Sequence, residues 1–131
     1  MSEKFSVTVK VKSNPINGLL FRTMEKIKDF IMGADYELSL VIIGSTRSRA
    51  LNKTYRKINK PTDILSFTLD KKCGEIFIDP HRAAIKAKKF ERTFDNFLLF
   101  LFIHGLFHLK GFEHSSTMES KEEKVRRKFK I

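Results

Sequence analysis

Phe94-Asp95-Asn96-Phe97-Leu98-Leu99-Phe100-Leu101-Phe102-Ile103-His104-Gly105-Leu106-Phe107-His108-Leu109 is the stretch from which the rest of the chain can be read. Wound at helical pitch, its apolar side chains cover nearly the whole circumference. That predicts a helix buried in the middle of the fold, not one lying on a surface. Its most apolar run, Phe97 to Ile103, is too short to span a bilayer. Gly111 stops it, and two of its polar residues, His104 and His108, stand one turn apart.

Reading outward, Ser115 or Ser116 can cap a final, highly charged helix from about Thr117 to Lys130. On the other side, Asp79-Pro80 supplies an N-cap and a first-turn proline for a helix running to about Phe90. Ile64 to Leu69 and Glu75 to Ile78 read as strands joined by a hairpin over Lys71 to Gly74. Lys60-Pro61-Thr62-Asp63 breaks the pattern before them. Gly44-Ser45-Thr46 is a turn leading into a basic helix, Arg47 to Arg56, with Ala50 and Leu51 facing inward. Tyr36 to Ile43 is a strand, and Leu19 to Met32 a helix ended by Gly33. Phe5 to Val11 alternates strictly, as a strand does. The order βαβαββααα predicts an α+β fold: a small four-stranded mixed sheet with helices packed over it, and residues 1–131 forming a single domain.

A chain of 131 residues with 41% apolar content can bury a real core, and 13 phenylalanines with no tryptophan supply much of it. The lone cysteine, Cys73, rules out an internal disulfide and reads as incidental. No long apolar run follows Met1-Ser2-Glu3-Lys4, so a signal peptide is not expected and the location expected is cytoplasmic. The net charge is +11, from 26 Lys and Arg against 15 Asp and Glu. That surplus points to a polyanionic partner such as nucleic acid. No membrane partner is expected.

Three of the four histidines fall within His104-Gly105-Leu106-Phe107-His108-Leu109-Lys110-Gly111-Phe112-Glu113-His114. The i, i+4 spacing of His104 and His108 stacks two imidazoles on one helix face, as a shared metal requires. A left-handed residue at Gly111 can reverse the chain and carry His114 back beside them. Three neutral imidazoles with an open fourth position make a catalytic zinc site. Nickel, iron or copper would also accept three nitrogens. The offsets match the zinc-protease pattern HExxHxxGxxH, but the glutamate that serves such proteases as general base is here Gly105. His81, in a first helical turn, reads as a surface residue.

Arg47, Arg49, Lys53, Arg56, Lys57 and Lys60 fall between residues 45 and 60 with no acid among them. Arg56 closes a helix just before the Pro61 break, and its guanidinium can grip a phosphate with two hydrogen bonds. The cations of Lys121 to Lys130 read as a solvated helix face.

The segment His104 to His114 resembles the HGxLHLxGxDH signature of the YbeY endoribonuclease and rRNA-maturation family. Leu51-Asn52-Lys53-Thr54-Tyr55-Arg56 resembles its LNxxYR, and Pro61-Thr62-Asp63-Ile64-Leu65-Ser66-Phe67 its PTDVLSF. Gly74-Glu75-Ile76-Phe77-Ile78 resembles its GDIxI segment, and Met118 falls where the family often has methionine. These blocks occur in order across roughly residues 36 to 120. Glu113 and Glu75 replace aspartates of the pattern, Leu106-Phe107 replaces a Leu-Leu type pair, and Thr68 stands where proline is common.

The resemblance implies a zinc-dependent, single-strand-specific endoribonuclease acting in small-subunit rRNA 3′-end maturation and ribosome quality control. Its partners would be single-stranded rRNA and the small ribosomal subunit or its assembly factors, with no DNA. His104, His108 and His114 would be the zinc ligands, and Arg56 would face the metal across a basic groove as the catalytic arginine. No residue is an obvious general base; Glu113 is a candidate by its nearness in sequence to His114, and support of a ligand histidine is the preferred role for it. Two other readings stay open: another metal-dependent hydrolase with the same ligand spacing, and a non-catalytic assembly factor with a structural zinc.

Overall fold

A computed structural model describes residues 3–131; Met1 and Ser2, which begin the expected domain and the segment read for a signal peptide, lie outside the described residues. The elements run β1 (Phe5–Val9), α1 (Gly18–Met32), β2 (Glu37–Ile42), α2 (Ser45–Arg56), β3 (Ile64–Asp70), β4 (Cys73–Ile78), α3 (Pro80–Lys89), α4 (Phe94–Leu109) and α5 (Ser116–Phe129). This is the expected α+β order. The sheet is mixed, ordered β1-β2-β4-β3, with β1, β2 and β4 parallel and β3 antiparallel to β4.

Side chains alternate across the sheet, so each strand offers one face to the helices. Leu38, Leu40, Ile42, Ile76 and Ile78 are wholly buried on that face. α4 packs against β3, α1, α3 and α5, which is why almost its entire circumference is apolar. Burying one side chain such as Phe102 contributes roughly 1.5–3 kcal/mol. Two glycines let α4 lie close to the strands. A Cβ on Gly105 would meet Ile64 Cδ1 and Ser66 Oγ at 2.9 Å, and one on Gly74 would overlap the Tyr36 hydroxyl and meet the methyls of Leu109 on α4 at 3.1 Å.

Several expected boundaries shift. β1 ends at Val9, because its partner β2 ends at the paired Ile42 and only Lys10 N–H still finds a carbonyl there. The β3–β4 turn shrinks to Lys71-Lys72, and Cys73 and Gly74 join β4 by pairing with β2. α2 begins at Ser45, inside the expected turn. Its inward residues are Ser48 and Asn52, not Ala50, which is exposed, or Leu51, which is half-buried. Ser48 Oγ donates to Thr62 O at 2.7 Å and accepts from Thr62 N, and Asn52 Nδ2 donates to Lys60 O at 2.9 Å. Polar side chains face inward there because they hold the irregular segment that leads to β3. No helix among the described residues is long and apolar enough to cross a membrane.

Candidate metal centre

The histidines sit at the end of α4 and in the loop that follows. His104 and His108 share one face, their ring centroids 4.5 Å apart. The helix closes with Gly111 at φ 97°, a left-handed conformation that suits glycine. Gly111 N bonds to His108 O and Phe112 N to Phe107 O, while the Phe112 ring packs edge-on against Phe107. This reversal returns His114, whose ring lies 4.8 Å from that of His104 and 5.2 Å from that of His108. Each of the three offers a nitrogen, and all these atoms lie within 4.8 Å of one another. It is the one such cluster among the described residues.

Hydrogen bonds fix the tautomers. Phe112 O, which can only accept, lies 3.0 Å from His108 Nδ1, so that nitrogen carries a proton. The Glu122 carboxylate lies 2.8 Å from His104 Nδ1 and takes the same role. The two Nε2 atoms, left with lone pairs, face each other at 3.0 Å. Two lone pairs at that distance repel unless a cation lies between them. The donor set therefore fits a metal ion that favours imidazole. Burial holds His108 below the usual imidazole range, and the nearness of His104, which disfavours two charged rings side by side, adds to this against the Phe112 carbonyl. A neutral ring is the form that binds metal.

Glu122 is the site residue that sequence reading missed. It lies 4% exposed on α5, in line with the buried Met118 and Val125. Glutamate interrupting an apolar stripe at helical spacing was the available signal. Ser115 starts α5 immediately after His114, its side chain accepting from Met118 N. Glu113, expected to support a histidine, is exposed, and its side chain makes no hydrogen bond among the described residues; the carboxylate that contacts a histidine comes from the next helix. His81 is exposed, as expected.

The histidines open onto a groove of about 1050 Å³ that Arg56 also lines. Lys57, in a left-handed conformation, ends α2 directly after Arg56. The Ser48 and Asn52 bonds to the following segment then hold that helix end against the start of β3. The groove is less basic than the resemblance implies. Arg56, Lys86, Arg92 and Arg126 line it together with Asp63, Glu119, Glu122 and Glu123. Three of these carboxylates are already paired: Asp63 with Lys86, Glu122 with His104 and Glu123 with Arg127. Among the described residues, Arg56, Arg92 and Arg126 make no ion pair.

A family model, endoribonuclease YbeY, matches residues 3–130. The chain belongs to the YbeY family. A relative named endoribonuclease YbeY from Aliarcobacter butzleri is 37% identical over 117 residues, covering 82% of each chain. Another of that name from Neorickettsia sennetsu is 33% identical, covering 95% of this chain and 91% of its own. The solution structure of a protein from Thermotoga maritima superposes with a TM-score of 0.68 at 25% identity, over 96% of this chain and 91% of that one.

The YbeY blocks are dispersed in sequence and close in space. The end of α2, the start of β3 and the His104–His114 cluster all contribute to one groove, through Arg56, Thr62 to Ile64 and the histidines. Gly105 stands where the zinc-protease pattern has its base, and it faces Ile64, Ser66 and Ile76 of the sheet. A glutamate there has no room beside these side chains.

Proposed function

We propose that this chain is a zinc-dependent endoribonuclease of single-stranded RNA, with residues 1–131 acting as one domain in the cytoplasm. The ligands are His104, His108 and His114, and Arg56 is the catalytic arginine. The observation that carries the reading is the pair of Nε2 lone pairs facing each other at 3.0 Å in a groove that also holds Arg56. Bound zinc supplies a water of lowered pKa and polarises a phosphoryl oxygen. Arg56 binds the scissile phosphate through two N–H donors and offsets charge that builds on its oxygens. Phe112 O and Glu122 keep the histidine protons on Nδ1 and leave the Nε2 atoms free to bind the metal. The resemblance and the family name support RNA as the substrate. The motif resemblance alone supports a role in small-subunit rRNA 3′-end maturation and ribosome quality control, with the small subunit or its assembly factors as partners.

The purified protein is expected to hold about one zinc and to cleave an unstructured RNA. A chelator should abolish cleavage, and added zinc should restore it. Full cleavage by the metal-free protein would reject the metal assignment. A zinc-loaded protein that binds rRNA yet cleaves none would favour the non-catalytic assembly factor.

A further inference from the structure

A second feature of the groove lies on the same stripe of α4 as the histidines. Phe97, Phe100, Leu101, His104 and His108 recur at helical spacing and all line it. Phe100 precedes His104 by about 6 Å along the helix axis. Phe90, at the end of α3, stacks on Phe97 with centroids 5.9 Å apart and planes 14° apart, and Phe97 stacks on Phe100 with the same geometry. Phe97 is 3% exposed and backs the row, whereas Phe90 is 59% exposed. The guanidinium groups of Arg92 and Arg126 lie over the Phe100 ring, at 4.6 and 5.0 Å. The left-handed Glu91 turns the chain between Phe90 and Arg92, and both line the groove.

We infer that Phe90, Phe100, Arg92 and Arg126 form a subsite that stacks an unpaired nucleobase next to the scissile phosphate. This rests on the endoribonuclease reading and gives it a substrate-binding wall. Four carboxylates line the groove beside its four Lys and Arg side chains, so phosphate attraction is not the only grip a strand can use there. Aromatic faces add a grip that depends on the base being free, because a base inside a duplex has both faces covered. The guanidinium groups over Phe100 stand on the same wall, and a guanidinium can both stack on a ring and bind phosphate. A nucleotide supplies both the flat ring and the anion that this set of side chains matches. An apolar peptide would match the rings and leave the charges of Arg92 and Arg126 without a counter-ion.

The test uses zinc-loaded protein and an unstructured RNA of about 12 nucleotides carrying 2-aminopurine at successive positions. Fluorescence is read by stopped flow before turnover. Wild type is expected to quench the probe at a defined position, and the same strand in a duplex is not. Phe90→Trp should keep the quench. Phe90→Leu, which keeps an apolar side chain and loses the ring, should abolish it and raise Kd by about 5- to 100-fold. Zinc content should not change. Arg126→Gln is a second variant that does not depend on Phe90 packing, and it should weaken binding and lower the salt slope by about one. If both Phe90→Leu and Arg126→Gln bind and quench like wild type, the subsite is wrong and the RNA reading stands. If wild type binds no RNA, both fall.

Discussion

Glu122 Oε2 lies 2.8 Å from His104 Nδ1, so a buried carboxylate on α5 orients a histidine on α4. The contact fixes the proton on Nδ1 and makes Nε2 a better donor to a cation. Glu122→Gln is expected to weaken zinc binding about 10- to 100-fold while the three histidines remain. Competition against a chromogenic chelator measures it. Wild-type affinity in the variant would reduce Glu122 to a packing residue.

Removing His108 removes a ligand itself. His108→Ala should lose stoichiometric zinc, since the site falls to two imidazoles. Elemental analysis of the purified variant settles the point, and full occupancy would refute the ligand set.

Arg56→Lys keeps the charge and loses the two-pronged geometry. Single-turnover cleavage should fall by about 10²–10³-fold, with zinc content unchanged. RNA affinity should fall far less, because Arg92, Arg126 and the other cations of α2 remain. A rate equal to wild type would place Arg56 on a solvated helix face.

Gly105 tests how tightly α4 is seated. Gly105→Ala places a methyl 2.9 Å from Ile64 Cδ1 and Ser66 Oγ, so one of the two must shift. A loss of about 1–3 kcal/mol in stability is expected, read from denaturant midpoints. Gly105→Glu, which restores the zinc-protease pattern, should fail to give a stable fold and should give no peptidase. A well-folded Gly105→Glu protein would show that the sheet yields there.

RNA binding should weaken steeply with salt, because a chain of net charge +11 releases several counterions. Titrations at rising ionic strength check this, and a flat response would leave stacking as the main source of affinity.

The long apolar helix, the order of elements along the chain and the grouping of three histidines were legible because each rests on local periodicity or spacing. α4 runs from Phe94 to Leu109 as read, and Gly111 reverses the chain. What escaped depends on distant partners. Ser48 and Asn52 turn inward to reach backbone atoms of Thr62 and Lys60, which a hydropathy pattern cannot reveal. Cys73 and Gly74 become strand residues only because β2 lies alongside. Glu113 was chosen for its nearness in sequence to His114, whereas the carboxylate in contact belongs to α5, 18 residues after His104. The zinc ligation and the role of Arg56 stand as proposals that the groove geometry supports.

The place of Glu122 in the chain also sets when the site is completed during synthesis. The histidines are made first, the carboxylate that holds His104 afterwards, on the last helix. A ribosome that stalls before Glu122 leaves a chain with imidazoles and no anchor for one of them. The orienting contact can form only after α5 has emerged and docked, so a chain that stops short of Glu122 lacks the carboxylate that holds His104. For a protein proposed to cut RNA beside the machinery that makes it, that order withholds the hazard until α5 has been made and has docked.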